Sequence, residues 1–331
     1  MGRGWKIAIG VVAAIVVLIG INALVTSAET KSAEVTEQDG RIVRLPGGEV
    51  EAIDVGPPDG RPIVLVHCFT CAIDWWDGMI PRLARTHRVV AVDLLGHGGS
   101  EKPTSGYEIE NQADLVAGVM GRFGVGEAMV VGHSLGGTVA TALAERSPEL
   151  VERVVIVDTA PTLEDGDLGL LAKLAFQPAI GEALWRIKPD FSVRQGLEVA
   201  FAPGFEVPDA FVEDLKRMTY SAYKESPTES EDYSQEKGLD ERMRESGKPL
   251  LVIMGAEEQI IDDPAARLAE YRETVPGVQT ELIDGVGHSP NVEVPARTAA
   301  LVLAFGKFES PANEGKRVTV QSPDPTGAAS R

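Results

Sequence analysis

Continuously apolar runs separated by helical stretches are the feature that most constrains the fold of this chain. RPIVLVH, RVVAVD, EAMVVGH, RVVIVD and PLLVIMG have the composition of strands that are covered on both faces. Between them, stretches such as NQADLVAGVMGRF and GGTVATALAERS have the apolar spacing of helices. Strands that alternate with helices predict an α/β fold, in which a mostly parallel sheet carries helices on both faces.

One long interruption divides this pattern. Between Asp158 and Pro249 there is no clear strand, and LLAKLAFQPAIGEALWRI and PDAFVEDLKRMTYSAYKE have the spacing of amphipathic helices. The acidic stretch SPTESEDYSQEKG that follows them predicts a polar connector. We therefore predict a helical cap at residues 161–245, inserted between two parts of the core at 41–160 and 246–308.

The two ends of the chain differ from the core in composition. Arg3 and Lys6 precede the uncharged apolar segment Ile7 to Val25, which as a helix would span about 28 Å, close to the ~30 Å hydrocarbon core of a bilayer. We predict a membrane anchor within residues 1–28, with the basic end in the cytoplasm and the other domains outside. A polar stalk at 29–40 and a disordered tail at 309–331 complete the predicted organisation.

A cleaved signal peptide is the alternative to the anchor. Thr26, Ser27 and Ala28 are small residues near a potential cleavage site. The apolar core of a signal peptide is usually only ~7–15 residues long, so the length favours an uncleaved anchor. Either interpretation exports the globular domain, as a single-pass membrane protein or a secreted one.

The net charge and the spacing of histidines, acids and cysteines argue against several classes of function. Acids outnumber bases 50 to 31, and a formal charge of −19 argues against a nucleic-acid partner. The five histidines are scattered and the acids near them lack ligand spacing, so neither a metal nor a cofactor is expected. Cys68 and Cys71 are the only cysteines, which excludes a disulfide framework and favours two small half-buried side chains over a redox pair.

Ser134 lies at a junction between a strand and a helix. In GHSLG it follows the apolar run AMVV and precedes the helical stretch TVATALAE. A turn this tight brings backbone segments close together, so the residues two before and two after the serine must be small. Gly132 and Gly136, which have no side chain, meet this requirement. We expect the hydroxyl to stand exposed above the carboxyl edge of the sheet, beside a helix N-terminus that favours negative charge. The corner therefore presents a candidate nucleophile.

His288 is the best candidate for the base that activates this serine. A serine hydroxyl needs a base to remove its proton, and the base needs an acid to orient it. His288 lies in the loop IDGVGHSPNVEVP, after the strand-like QTELID and before the helical VPARTAALVLAF. The other histidines end a strand, adjoin the serine or lie in surface connections.

Taken in order, LVHCFT, DLLGHGGS, GHSLGG and GHSPNVEVP resemble the motifs of the α/β-hydrolase superfamily, from about Arg41 to Phe308. The resemblance implies a twisted sheet of about eight strands, a helical cap after the sixth strand and a catalytic triad. It places Ser134 at the nucleophile and His288 at the base.

The triad acid normally follows strand seven in this family, where the chain has GAEEQIID. Glu258 stands at the matching position, and glutamate in place of aspartate is a departure from the family. Asp158, after strand six, is the rival acid, because some family members place the acid there. Asp262 in DDP is instead expected to cap the following helix, and Glu257 to be a solvated charge.

The resemblance also implies an oxyanion hole made by the backbone N–H groups of Phe69 and Leu135. Cys68 replaces the family's glycine beside Phe69, which is a second departure. Trp75 and Trp76 are candidates for the acyl side of the pocket, although packing beneath the first helix of the domain is the alternative for at least one of them.

The motifs and the N-terminal segment together predict an exported, membrane-tethered serine hydrolase. The family resemblance implies that it cleaves a small or medium carboxylic ester through an acyl-enzyme. Ser134 would attack the carbonyl, His288 would carry the proton and Glu258 would stabilise the imidazolium. Apolar cap residues, including Leu171 and Trp185, would bind an apolar part of the acyl substrate. The alternatives are a carbon–carbon bond hydrolase, a cofactor-free haloperoxidase or a non-catalytic binding module of the same fold.

Overall fold

A computed structural model describes residues 3–31, 35, 37, 38, 40–163, 177 and 180–307. Its centre is one eight-stranded sheet. In chain order the strands are β1 (Arg41–Leu45), β2 (Gly48–Val55), β3 (Arg61–Val66), β4 (His87–Val92), β5 (Ala128–His133), β6 (Val151–Val157), β7 (Leu250–Gly255) and β8 (Gln279–Ile283).

The strand order is β1-β2-β4-β3-β5-β6-β7-β8. β2 pairs antiparallel with β1 and with β4, and all the other neighbours are parallel. The carboxyl ends of β3, β5, β6 and β7 therefore lie at one edge of the sheet, where loops from distant parts of the chain meet. The predicted mostly parallel eight-stranded sheet is confirmed.

Helices surround this sheet. The described ones are α1 (Arg3–Lys31), α2 (Ile80–Leu83), α3 (Ile109–Phe123), α4 (Leu135–Arg146), α5 (Ile180–Trp185), α6 (Asp190–Leu197), α7 (Asp209–Arg217), α8 (Tyr220–Glu236), α9 (Leu239–Ser246), α10 (Pro264–Thr274), α11 (Pro290–Glu293) and α12 (Pro295–Phe305).

Both faces of the sheet are covered, as the continuous apolar runs predict. In β3, Val64 and Val66 pack in one hydrophobic cluster together with residues of α3 and α4. Ile63 and Leu65, which point to the opposite face, pack in a second cluster with residues of α2 and α12. Successive side chains of a strand alternate between its two faces. When both faces are covered, no position of the strand faces solvent, and apolar residues are favoured throughout.

Helices α5 to α9 lie between β6 and β7, where the helical insertion was predicted. The stretch predicted to be a polar connector is, however, mostly part of α8, which runs to Glu236. Ser226, Ser230 and Ser234 are buried on it, and the Ser230 and Thr138 hydroxyls share a hydrogen bond of 3.0 Å. Small hydroxyl side chains let α8 pack closely on α4. The acidic, polar composition of this stretch gives no indication of that packing.

The helix predicted over PDAFVEDLKRMTYSAYKE is in fact two helices. The chain leaves helical geometry at Met218, whose ψ is 149°, and α8 begins after Thr219. The Thr219 side chain accepts a hydrogen bond from the N–H of Ala222, so it caps the new helix and favours the break.

At the N-terminus, α1 contains an apolar stretch, Ile9–Thr26, that is long enough to cross a membrane, and 11% of it is buried. A signal sequence has the same character. The helix continues to Lys31, so the start of the predicted stalk is helical. The predicted tail at 309–331 and the cap residue Leu171 lie outside the described residues.

Candidate active site

Ser134 sits between β5 and α4 in a strained backbone conformation. Its φ is 51° and its ψ is −116°, values that non-glycine residues rarely adopt. Its N–H donates to the Val157 carbonyl (2.9 Å), and its own carbonyl accepts from the Gly137 N–H (2.7 Å) and the Thr159 hydroxyl (3.0 Å). These contacts hold the strained turn. The serine, whose hydroxyl was expected to stand exposed, is half-buried.

The flanking glycines are required by close backbone approach. A Cβ atom on Gly132 would lie 2.0 Å from the Gly136 carbonyl oxygen, and one on Gly136 would lie 2.1 Å from the Val66 carbonyl oxygen. Neither contact is sterically permitted, and backbone atoms cannot move aside as a flexible side chain can. The glycines therefore allow the first turn of α4 to lie against the end of β3.

His288 and Glu258 form a direct pair. His288 Nδ1 donates to Glu258 Oε2 at 2.6 Å, the length of a charge-assisted hydrogen bond. The Glu258 side chain is fully buried and that of His288 is 5% exposed. With the proton held on Nδ1, the lone pair of Nε2 is the one available to accept a proton.

The electrostatics of this pair keep Glu258 ionised. Burial opposes its ionisation, but the adjacent His288 and the N–H of Ile260, which donates to Glu258 Oε1 at 2.6 Å, outweigh it. Together they lower the pKa of Glu258 to about 2. At neutral pH an ionised carboxylate therefore lies behind the imidazole, which is the arrangement of the acid in a serine triad.

Asp158, the rival acid, lies in the same cluster but in a different state. Ligand atoms of Asp158, Glu258 and His288 lie within 4.8 Å of one another. Asp158 is completely buried and its Oδ1 accepts from the Gly255 N–H at 3.0 Å. Burial, followed by the charge of Glu258, raises the pKa of Asp158 well above its ordinary value. The neutral form of Asp158 is thus favoured, beside the ionised Glu258.

The remaining acids of this loop have structural environments. Glu257 is exposed, as expected. The helix cap assigned to Asp262 is wrong: Asp263, with φ of 48°, accepts from the N–H of Ala266 at 3.0 Å and caps α10. The cap is one residue later because it must directly precede Pro264, the first residue of the helix.

Sequence reasoning missed two residues that hold the His288 loop. His133 is fully buried and its Nε2 donates to the His288 carbonyl at 2.7 Å. Burial lowers the pKa of His133 to about 3, so it is neutral. Glu293 accepts from the N–H of Gly287 and from the N–H of Ala202 in the cap, both at 3.0 Å. His133 lies within the motif GHSLG and Glu293 within GHSPNVEVP, so their positions in these motifs could have indicated a role at the site.

Strand register places the two predicted oxyanion donors at equivalent positions after two neighbouring strands. Val66 of β3 pairs with Gly132 of β5, and Phe69 and Leu135 each follow three residues later. Leu135 is the first residue of α4, where an N–H has no partner within the helix. His67 Nδ1 lies 2.7 Å from the Cys68 carbonyl oxygen, and because the peptide is planar and trans, the Phe69 N–H points away from His67.

The expectation of two small half-buried cysteine side chains, favoured over a redox pair, is wrong. Cys68 and Cys71 form a disulfide and are 4% and 1% exposed. Their loop turns through Thr70, whose φ of 63° brings the two side chains to one side. The bond thus closes a four-residue loop around Phe69, at the place where the family has a glycine.

Neither candidate indole lines an open pocket, since Trp75 and Trp76 are each 1% exposed. Trp76 packs in the core, in the cluster that contains Ile63 and Leu65. For this residue the structure has the alternative given above, packing in the core in place of lining the pocket. Trp75 stacks on Phe211 of the cap with ring centres 3.9 Å apart. Trp75 therefore lies at the contact between the core and the cap.

Trp185, the other described cap candidate, belongs to a row of aromatic rings. Its ring centre lies 4.7 Å from that of Tyr223, which lies 5.2 Å from that of Phe69. The row connects the cap to the loop that carries Phe69, one of the two predicted oxyanion donors.

This geometry can be compared with known proteins. A family model described as the alpha/beta hydrolase fold matches residues 61–295. The chain belongs to the α/β-hydrolase fold family. This α/β hydrolase is similar to a 2-hydroxymuconate semialdehyde hydrolase of Pseudomonas sp., with 28% identity over 267 residues, covering 74% of this chain and 87% of that protein.

Solved structures of the family resemble it as well. A meta-cleavage product hydrolase of Pseudomonas fluorescens is 25% identical, with a TM-score of 0.61, covering 81% of this chain and 97% of that one. An esterase of Exiguobacterium antarcticum, 18% identical, has a TM-score of 0.67 over 81% of this α/β hydrolase and 100% of its own chain. The esterase likeness is one of fold.

Proposed function

We propose that this hydrolase cleaves a small or medium carboxylic ester through an acyl-enzyme formed on Ser134. His288 Nε2 takes the proton from the serine hydroxyl as the oxygen attacks the carbonyl carbon. The same nitrogen then protonates the departing alcohol. Water attacks the acyl-enzyme in the second half, again with His288 as base, and releases the carboxylic acid and free Ser134.

The observation that carries this proposal is the 2.6 Å bond between Glu258 and His288, whose carbonyl accepts from His133, the residue directly before a serine in a strained turn. Glu258 fixes the imidazole tautomer and stabilises its positive charge. The backbone N–H groups of Phe69 and Leu135 are assigned to the developing oxyanion, for which preorganised donors supply a large part of catalysis. The proposal needs neither a metal nor a cofactor.

The first test is a panel of chromogenic esters graded by acyl length. The row formed by Phe69, Tyr223 and Trp185 is apolar, so kcat/KM is expected to rise from the acetyl ester to medium chains. Each additional buried methylene contributes about 0.8 kcal/mol, or roughly fourfold. The paired control is Tyr223→Ala, which should flatten this dependence while short esters are still cleaved. A preference for short polar esters in the wild type would contradict an apolar acyl site.

A second candidate, hydrolysis of a carbon–carbon bond, is favoured by the relatives. The protein that is 28% identical is named for 2-hydroxymuconate semialdehyde, and the one that is 25% identical for meta-cleavage products. The same purified enzyme should therefore be assayed on 2-hydroxymuconate semialdehyde beside the ester panel. A kcat/KM on this compound that exceeds the best ester would replace the ester proposal with the second candidate.

We also propose that α1 tethers the enzyme to a membrane with the catalytic domain outside the cytoplasm. Its apolar stretch Ile9–Thr26 has the length of a span, and Arg3 and Lys6 precede it. The disulfide between Cys68 and Cys71 supports an exported domain, since such bonds persist in oxidising compartments. A secreted form, released after signal cleavage, is the alternative.

The tether has its own test. The full chain is expected to remain in the membrane pellet after alkaline carbonate extraction, and protease added from the outer side should digest the catalytic domain. Replacing Val17 and Leu18 with arginine should release the protein, because each charge at mid-span costs about 2.5–3.5 kcal/mol. A mature N-terminus near Glu29 would show that α1 is a cleaved signal.

A further inference from the structure

The loop that follows β3 carries both cysteines of the chain, with the predicted oxyanion donor Phe69 between them. This loop starts against the turn of the nucleophile, because a Cβ atom on Gly136 would lie 2.6 Å from the His67 carbonyl oxygen. Gly136 comes two residues after Ser134, and His67 comes two residues before Phe69. The conformation of residues 67–71 therefore decides where the Phe69 N–H lies relative to the serine.

The contacts of this loop leave the Phe69 N–H available. Among the residues that the structure describes, no protein group accepts a hydrogen bond from it. The neighbouring contacts use the Cys68 carbonyl, which lies 2.7 Å from His67 Nδ1 and accepts from the Cys71 N–H at 3.3 Å. The peptide between Cys68 and Phe69 is thus held at its carbonyl, and its N–H can donate to an oxyanion.

Thr70 makes the turn of this loop at a conformational cost. Its φ is 63°, and a β-branched residue rarely adopts this left-handed region. Such a conformation persists only where the surrounding structure imposes it. The disulfide closes the loop across Thr70 and supplies a covalent constraint of this kind. Without it, Thr70 is expected to return to a negative φ, and this rotation displaces the residues before it, beginning with Phe69.

The disulfide lies beneath the cap. Both cysteines are buried, and they pack in one cluster with apolar residues of α6 and α7 that include Val193, Leu197 and Phe211. The Phe69 ring contacts Tyr223 of the cap, with ring centres 5.2 Å apart. Packing of this kind fixes where side chains lie, whereas the left-handed backbone of Thr70 needs the closed loop.

We propose that the disulfide between Cys68 and Cys71 is a positioning element of the active site, which holds the Phe69 N–H in place for the oxyanion. A dithiol breaks this bond: the disulfide takes up two electrons and two protons to give two thiols, and the dithiol becomes a disulfide. Thr70 then relaxes, the donor moves and turnover falls. The inference rests on the proposed function, because Phe69 is an oxyanion donor only if Ser134 attacks a carbonyl.

The test compares the full-length enzyme in detergent micelles with Cys68→Ala, Cys71→Ala and the double variant. The kcat on the best ester should fall by about tenfold to a hundredfold, less than the ~10²–10³-fold loss when an oxyanion donor is removed outright. KM should change little, because the donor acts in the transition state. Affinity for a trifluoromethyl ketone, which forms a tetrahedral oxyanion on the serine, should fall in parallel with kcat.

Two comparisons separate this positioning role from a loss of packing. The single variants and the double variant remove the same bond, so their losses of kcat should be equal and should not add. Thr70→Gly in the double variant should recover part of kcat, because glycine adopts a positive φ without steric cost. The matched control is Val193→Ala, which removes apolar contact from the same cluster and should lower the melting temperature but keep kcat.

Reduction gives an independent measurement, since Cys68 and Cys71 are the only cysteines of the chain. The wild type is treated with dithiothreitol, and the reduced fraction is determined by alkylation under denaturing conditions followed by mass spectrometry. The kcat should fall as the reduced fraction rises and should recover on reoxidation. The double variant should not respond to the reductant.

Unchanged kcat and unchanged ketone affinity in the double variant would overturn the proposal. So would losses that add between the single variants, or a loss that Thr70→Gly does not recover, since both results would indicate packing alone. Failure of the proposed function has a different result, because the oxidised wild type would then neither cleave an ester nor bind the ketone.

Discussion

Ser134→Ala is expected to lower ester turnover by about 10⁶-fold, the scale of loss when the nucleophile of a serine triad is removed. The alanine keeps the Cβ atom, so the strain at φ of 51° and the backbone bonds to Val157 and Gly137 stay as they are. The melting temperature should therefore change little. The measurements are kcat on the best ester and covalent labelling by a fluorophosphonate probe, which needs an activated serine.

Ser192→Ala is the matched control, because Ser192 is an exposed serine whose hydroxyl donates to the Pro189 carbonyl. It should retain both labelling and turnover. Full turnover by Ser134→Ala would end the proposed mechanism. Absence of labelling in the wild type, together with no turnover of any ester, would favour a hydrolase fold that serves as a binding module.

Glu258→Gln is expected to lower kcat by up to about 10⁴-fold with little change in stability. Glutamine has nearly the same shape, but it has no negative charge and its amide can present a donor to His288 Nδ1. Both the tautomer and the stabilisation of the imidazolium are lost. The pH profile of kcat and the thermal unfolding of the variant are measured and compared with those of the wild type.

Asp158→Asn is the companion variant that distinguishes Glu258 from Asp158 as the triad acid. Burial raises the pKa of Asp158 and so favours its neutral form, and an asparagine can still accept the Gly255 N–H with its side-chain oxygen. Its effect on kcat should be far smaller than that of Glu258→Gln. The reverse ranking would make Asp158 the triad acid, and little effect from either would weaken the whole assignment.

The pH dependence of stability follows from the same pair. The folded-state pKa of Glu258 is about 2, below the ordinary value of 4.5, so the pair stabilises the folded enzyme above about pH 4.5. This contribution is lost as the pH falls from about 4.5 through 2.

Much of the sheet and the position of Ser134 could be predicted because short-range rules determine them. Strands covered on both faces need apolar side chains at every position, and the strained turn needs Gly132 and Gly136 beside it. These requirements are visible in a few consecutive residues. The polar stretch within α8 was misread because its buried serines are complementary to α4, a contact between segments about 90 residues apart.

The sequence by itself determined the fold family, the cap between strands six and seven, and Ser134 and His288 as candidates, because each depends on local periodicity or on a contiguous motif. Only the tertiary structure decided which carboxylate faces the imidazole. Asp158 and Glu258 follow neighbouring strands at one edge of the sheet, and the side chain of Glu258 reaches His288 Nδ1. It also decided that Cys68 and Cys71 are bonded and that Trp75 and Trp76 are buried. These outcomes depend on distances between segments that are remote in the chain, and no local pattern encodes such distances.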